Sequence, residues 1–304
     1  MAGGCKAART AAVRGRLPVT EINMDHVLST HLFANHRLNT VWLDKIADHG
    51  IPAVEIFCAR QHVDWQDASQ IRQLAAWFRD SELKLHSLHA PLYTDEVSGR
   101  SGPQSILKIT EPLKAKRNAI VDEIKRAIEI ADTIPCRYVI QHVGVTGEEY
   151  DERKVEAAFI ALDEISSFAR QRGVEVLLEN IPNAFSTSDR LNLFNEQTHL
   201  KLNYCFDIGH ANMTEGVETA FNGMRNRIRS THIHDNNGKE DNHLFPLASE
   251  GGTIDWTKAM ELLRSRAEQY PLLLELKGVS AKNPLPVVRD IFEKLESLEP
   301  PHER

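Results

Sequence analysis

From His26 onward the chain alternates short apolar runs with amphipathic stretches, eight times over, without a break in rhythm. The apolar runs are Val27–Phe33, Ala53–Cys58, Leu83–Leu88, Arg137–His142, Val174–Glu179, Leu202–Asp207, Ile228–His232 and Leu272–Leu276. Between them lie helical patterns: Thr40–His49 closed by Gly50, Asp67–Asp80, Asp189–Glu196, Thr214–Met224, Asp255–Ala267 and Pro286–Leu298. A third helix shows Ile120, Ile124, Ala127, Ile128 and Ala131 in one apolar stripe. A fourth shows Val155, Ala158, Phe159, Leu162, Ile165 and Phe168, with Gly173 as its C-terminal cap. Strands separated by helices pair in parallel through right-handed crossovers. Eight such units in roughly 275 residues predict an α/β fold, a single (β/α)8 barrel. A doubly wound open sheet would carry a Gly-rich phosphate turn after its first strand, and none is present.

The barrel is expected over residues 24–298, with 299–304 as a tail. Residues 1–23 differ in composition: Lys6, Arg9, Arg14 and Arg16 are scattered among Ala and Gly, and no acid precedes Glu21. Arg14 and Arg16 interrupt the only apolar stretch a signal peptide could use, so a disordered leader is expected, with Met24 as an alternative start. Cys5, Cys58, Cys136 and Cys205 form no CxxC pair and read as reduced thiols of a cytoplasmic protein. No apolar run reaches the roughly 18 residues of a membrane helix. With 43 acidic and 36 basic side chains the net charge is −7, which suits a small-molecule partner rather than a nucleic acid. A homo-oligomer is left open.

In such a barrel the chemistry sits at the C-terminal ends of the strands. Six successive ends carry ligand-type residues: His89, His142, Glu179, Asp207 with His210 just beyond, His232, and Glu275. Single residues of this kind are ordinarily hydrogen-bonded rim groups, and Glu55 and Glu175 are expected to be that. An unbroken series points instead to a metal centre. The stretch Thr231–Leu244 concentrates the signal, with His232, His234 and His243 beside Asp235 and Asp241. His232 and His234 share a strand face but lie roughly 6.6 Å apart along it, so only one is expected at ligating depth. Glu179 and Glu275 both alternate onto the face that looks into the barrel mouth. The polar stretch from Tyr93 to Pro112 is long enough to be a functional loop.

Read together, the ordered motifs resemble the xylose-isomerase-like barrel superfamily, which contains sugar-phosphate isomerases and epimerases and the endonuclease IV (AP endonuclease family 2) enzymes. They are Leu88-His89-Ala90-Pro91, Gln141-His142-Val143-Gly144, Leu178-Glu179-Asn180, Asp207-Ile208-Gly209-His210, His232-Ile233-His234-Asp235, Asp241-Asn242-His243, Glu250-Gly251 and Leu274-Glu275-Leu276. The resemblance to the ketose epimerases implies a divalent metal (Mn2+, Mg2+ or Co2+) held by Glu179, Asp207, His232 and Glu275. It also implies Glu179 and Glu275 as the acid/base pair and His210 as a substrate contact. His234 then falls to a supporting role. Those epimerases have an Arg six residues after the metal His, where this chain has Gly238. The endonuclease branch uses three Zn2+ ions, and its further ligand positions look like His89, His142, His210, Asp241 and His243.

The expectation is therefore a metal-dependent sugar or sugar-phosphate isomerase or epimerase with a small carbohydrate substrate. A metal-dependent phosphodiesterase and a sugar or polyol dehydratase are the alternatives. The loop charges disfavour the phosphodiesterase: Arg100, Lys108, Lys114, Arg190 and Lys239 are matched by Asp95, Glu96, Glu111, Asp189, Glu240 and Asp241.

Overall fold

The structure, a computed structural model, describes residues 24–266, 270–278 and 283–298. The expected leader, the tail and the helix end at Ala267 lie outside the described residues. Eight strands are present: β1 (His26–Ser29), β2 (Ala53–Phe57), β3 (Lys84–His89), β4 (Tyr138–His142), β5 (Glu175–Glu179), β6 (Asn203–Asp207), β7 (Ile228–His232) and β8 (Leu272–Leu274). They pair in parallel in the order β7-β6-β5-β4-β3-β2-β1-β8. The Ile233 N–H donates to the Leu273 carbonyl at 2.8 Å and the Glu275 N–H to the Ile233 carbonyl at 3.1 Å, which joins β7 to β8 and closes the ring. The result is a single (β/α)8 barrel.

Around it run α1 (Thr40–Asp48), α2 (Ala68–Arg79), α3 (Lys114–Ile128), α4 (Glu152–Arg170), α5 (Ser188–Gln197), α6 (Ile208–Met213), α7 (Val217–Met224), α8 (Trp256–Arg264) and α9 (Leu285–Ser297). Aspartates cap two of these helices: the Asp67 carboxylate accepts from Ser69 and Gln70 N–H, and the Asp255 carboxylate accepts from Lys258 N–H. No helix among the described residues is long and apolar enough to cross a membrane. Outward strand residues such as Leu28, Val54, Leu88, Val139, Leu178 and Phe206 pack with the apolar faces of the helices in one core. The barrel interior holds a second, smaller cluster of Tyr138, Ile140, Leu177 and Cys205.

Three elements differ from expectation. The first apolar run is not strand throughout: after Ser29 the chain turns into a short 3-10 helix, Thr30–Phe33, with the Ser29 hydroxyl accepting from His31 N–H at 3.4 Å. The helix expected over Thr214–Met224 starts three residues later, as α7, and a short helix not expected from the sequence, α6, precedes it. Asp207 caps α6 directly at the end of β6, accepting from His210 N–H at 2.6 Å, and Gly216 at φ +84° breaks the path before α7. Strand β8 stops at Leu274, and Glu275, its N–H still donating to the Ile233 carbonyl, stands just past the strand as the chain enters the mouth.

The loop after β7 is folded back on itself. Asp235 and Leu244 exchange backbone hydrogen bonds of 2.9 and 2.8 Å, so His243 returns over His234. Buried Asp235 anchors the fold-back. Its carboxylate accepts from the N–H groups of Asn236 (2.8 Å), Thr253 (3.0 Å) and Ile254 (3.3 Å) and from the Trp256 indole (2.7 Å). Asp235→Ala leaves these donors without an acceptor and is expected to destabilise by about 3 kcal/mol, since each buried unsatisfied group costs about 1–3 kcal/mol. Urea unfolding should show a lowered midpoint at unchanged slope. An unmoved midpoint would show that Asp235 is not the anchor.

A candidate metal centre at the barrel mouth

Strand register assembles the site. His142 is paired with Glu179 across β4 and β5, and Asp207 with His232 across β6 and β7. Alternation turns these side chains inward at the C-terminal rim. The Asn180 side chain staples β5 to β6: it donates to the Asp207 carbonyl and accepts from the Asp207 N–H, both at 2.8 Å.

Three groups result, each with its donor atoms within 4.8 Å of one another: Glu179, Asp207, His232 and Glu275; His89, His142 and Glu179; and His210, His234, Asp241 and His243. In the central group His232 Nδ1 lies 3.3 Å from Glu179 Oε2, 3.3 Å from Glu275 Oε2 and 3.8 Å from Asp207 Oδ2. In the second, Glu179 Oε2 lies 3.1 Å from His142 Nε2 and 3.6 Å from His89 Nε2. In the third, Asp241 lies 3.3 Å from both His210 Nε2 and His243 Nε2, and 3.8 Å from His234 Nε2.

The hydrogen bonds behind these groups test whether a metal suits them. A carbonyl oxygen can only accept, so an imidazole nitrogen facing one carries the proton. His89, His210 and His243 direct Nδ1 at the carbonyls of Ala90 (2.9 Å), Asn180 (3.0 Å) and Glu275 (2.9 Å), and His234 directs its own at Asp235 (3.3 Å). In the neutral ring that leaves the Nε2 lone pair facing carboxylate oxygens, an arrangement a cation relieves; metal-bound histidines are oriented in this way. His232 is turned the other way round. Its Nε2 meets the buried Glu55 carboxylate at 3.2 Å, and Nδ1 points into the central group with no hydrogen-bond partner among the described residues. Glu179 Oε1 likewise makes no hydrogen bond among the described residues, with His210 Nδ1 3.2 Å away. The residues fit a divalent metal.

The electrostatics follow from packing carboxylates and imidazoles together out of water. Burial opposes charge on Glu179, but His142, His232 and His210 outweigh it and hold the carboxyl well below the usual carboxylate range. Burial likewise opposes protonation of His210 and His232, and the surrounding acids raise both well above the usual value. For His243, burial is overcome by the Asp241 hydrogen bond and the Glu275 charge, and the pKa rises from 6.5 to about 9. The non-glycine backbone of His243 sits at φ +47°, held by Lys277 N–H donating to its carbonyl at 3.1 Å.

The groups border a cavity of about 460 Å³, walled by Phe57, Leu92, Tyr93, Ile106 and Leu107 and bordered by His89, Glu179, Asp241, His243 and Glu275. Tyr93, Ile106 and Leu107 come from the long loop. Among the described residues Lys277 is the only Lys or Arg on this lining.

All nine residues singled out from the sequence (His89, His142, Glu179, Asp207, His210, His232, Asp241, His243 and Glu275) are drawn together at this mouth. Glu55 is hydrogen-bonded as expected, but deep inside the barrel. Ser29 and Ser87 donate to it at 3.0 and 2.7 Å, and it orients His232. Glu175 stays at the opposite end, accepting from the Asn203 amide. Two residues stand closer to the site than the sequence reading put them. His234 joins the third group. His31, hidden in what reads as strand, lies on the 3-10 helix with its ring 4.9 Å from that of His243, and burial lowers its pKa to about 3. No periodicity marks His31; only the turn after Ser29 brings it to the mouth.

Fold and mouth define a (β/α)8 barrel with three sets of ligand-type side chains at its C-terminal rim. The chain belongs to the Xylose isomerase-like TIM barrel family, whose pattern it matches over residues 43–298. It is 26% identical over 269 residues to the uncharacterized protein MJ1311 of Methanocaldococcus jannaschii, covering 85% of each chain. Among solved structures it resembles a D-tagatose 3-epimerase-like protein (TM-score 0.71, 25% identity, 90% of this chain and 97% of that one). It also shares its fold with the 3-keto-D-glucoside 4-epimerase YcjR from E. coli (TM-score 0.69, 15% identity, 90% and 100%).

The His243 shift sets a pH dependence. Its folded pKa of about 9 lies above the unfolded 6.5, so in metal-free protein its stabilisation is complete below pH 6.5 and lost as pH rises through 9. Thermal melts of metal-free protein should fall across that window. Zinc added at pH 7.5 should release protons into weak buffer, because the ligand must give one up. Zinc binding without proton release would contradict the assignment of His243.

Proposed function

We propose that the protein is a metal-dependent isomerase or epimerase acting on a small sugar or sugar derivative. The observation that carries this reading is the placement of Glu179 and Glu275. They come from β5 and from the end of β8, both border the cavity, and both reach the same His232 nitrogen at 3.3 Å. Two carboxylates on separate walls can serve opposite faces of one carbon. One removes the proton beside a carbonyl, and the other returns a proton from the far side, which inverts the centre or shifts the carbonyl.

Glu179, Asp207, His232 and Glu275 would hold a divalent ion, whose chemistry here is to stabilise negative charge developing on the substrate's oxygens. Three carboxylates and one imidazole suit Mn2+, Mg2+ or Co2+. Asn180 fixes Asp207, and Glu55 fixes the His232 ring. The apolar walls limit water around the reacting carbon, and a volume of about 460 Å³ lies in the range for small-molecule sites. The same apparatus could eliminate water from a hydroxy-ketone, so dehydration is a variant of this reading.

A second reading, three-zinc phosphodiester hydrolysis, is favoured by one observation: the two histidine-rich groups are complete alongside the central one. Against it stands the lining, which among the described residues holds one cation, Lys277, beside Glu179, Asp241 and Glu275, while phosphate-backbone recognition rests on clustered Lys and Arg.

Metal-loaded protein should turn over a member of a panel of ketoses, sugar phosphates and keto-sugars, with solvent deuterium entering the product. Glu275→Gln should reduce that exchange by about 100-fold or more with the fold retained. Exchange that persists in Glu275→Gln would remove the two-glutamate mechanism. Chelator-sensitive cleavage of an abasic duplex, with no turnover of the sugars, would select the hydrolytic reading.

A further inference from the structure

We infer that Glu148 is a positioning residue for the substrate cavity, pinning the long loop after β3 so that Tyr93, Ile106 and Leu107 stand as a fixed wall. That the cavity receives a sugar rests on the function proposed above; that its wall is pinned does not.

The loop is a flap with space on both sides. The Leu107 N–H donates to the Leu92 carbonyl at 2.9 Å, the Thr94 N–H donates to the Ser105 carbonyl at 2.8 Å, and Tyr93 and Ile106 bridge antiparallel. Leu92, Tyr93, Ile106 and Leu107 border the cavity. Ile106 and Leu107 also border a second hollow of about 440 Å³ behind the flap, against Ile120 and Glu123 of α3. A void supplies no contacts to hold what lines it, so packing alone does not fix where this wall stands. Its position is set from its ends.

The outgoing limb starts from β3, where the Ala90 N–H donates to the Ile140 carbonyl at 2.9 Å. The returning limb, Lys108 to Thr110, ends on buried Glu148. Each oxygen of this carboxylate takes one partner from the limb and one from the opposite side. Oε2 accepts from the Thr110 hydroxyl at 2.9 Å and from the Val145 N–H at 3.1 Å. Oε1 lies 3.6 Å from Lys108 Nζ and 3.0 Å from Lys154 Nζ of α4. Burial opposes charge on Glu148, but Lys154, Thr110 and Lys108 outweigh it and hold the carboxyl below its usual range. The Glu148 backbone is itself fixed: its N–H donates to the Val145 carbonyl at 3.0 Å, and its carbonyl accepts from the Ala184 N–H at 3.1 Å. Gly144, at φ +85°, leaves room for the junction, since a Cβ there would stand 2.6 Å from Glu148 Oε2 and 3.4 Å from Thr110 Cγ2. Lys154 alone would neutralise a buried carboxylate. Thr110 and Lys108 make it a bridge to the flap.

Limited trypsin digestion read by mass spectrometry reports on the limb through cleavage after Lys108, beside fully buried Ile109. Glu148→Gln keeps an acceptor for Thr110 but turns an amide toward two lysines. Thr110→Val removes the hydroxyl and leaves the lysines paired. Each should speed cleavage after Lys108 about tenfold or more, because proteolysis follows the population of the opened segment. Thr110→Ser, which keeps the hydroxyl, should stay near the wild-type rate. Cleavage after Arg264 in α8 is the control, since a variant that failed to fold would be cut there as well. With the sugar of the panel that wild-type protein turns over fastest, Glu148→Gln and Thr110→Val should raise KM about tenfold and keep kcat within about twofold, because the wall binds substrate and takes no part in proton transfer. Unchanged cleavage after Lys108 in both variants overturns the pinning. A lowered kcat at unchanged KM overturns the positioning role and puts Glu148 in the chemistry. Faster cleavage in variants of a protein that turns over no sugar supports the pinned wall and removes only the proposed function.

Discussion

Four histidines at the barrel mouth each commit one ring nitrogen to a backbone carbonyl, and the character of the site follows from the nitrogen left over. A carbonyl fixes the proton on Nδ1, the proton fixes the lone pair on Nε2, and the lone pairs converge on carboxylates already buried. Without a cation that concentration is sustained only by protonating the imidazoles, which is why burial and acid charge pull in opposite directions at His210, His232 and His243. The carbonyls belong to strand ends and strand-to-helix turns, so the chemistry of the mouth is inherited from the closure of the barrel.

That closure is thin in places. β8 is three residues long and meets β7 through Ile233 and Leu274, one step beyond the end of β7. The same step brings Glu275 to the rim and begins the fold-back loop carrying Asp241 and His243. Asp235 holds the loop by collecting three backbone N–H groups and an indole onto one carboxylate. Glu55 plays the matching part inside the barrel, tying β1, β2, β3 and β7 through Ser29, Ser87 and His232. The interior is thus a polar network above a small apolar plug of Tyr138, Ile140, Leu177 and Cys205. The large apolar core lies outside, under the helices.

The eightfold alternation was legible because parallel strands buried on both faces read as short apolar runs, and because Asp67, Asp255, Gly50 and Gly173 punctuate the helices. The ligand-type residues were legible for a related reason: β-strand alternation places a strand's last inward residue at the rim, so a column of His, Glu and Asp there is visible without coordinates. What misled was local. Thr30–Phe33 is apolar enough to read as strand, and only the Ser29 turn diverts it. The segment after β6 reads as loop, yet Asp207 caps a helix at once.

The amino-acid sequence by itself determined the fold class, the end of the barrel that carries the chemistry, and the nine residues that meet there, since period and position along each strand are properties of the chain. Tertiary structure alone decided how those residues divide into three groups, because that depends on strand register and on which carbonyl each ring faces. It also decided the standing of His234 and His31. Two histidines two residues apart on a strand look like alternatives in sequence. In space a glycine on the neighbouring helix, a fold-back loop and a stacked ring let both face carboxylates: His232 meets Glu179 and Glu275, His234 meets Asp241, and Asp207 stands between the two.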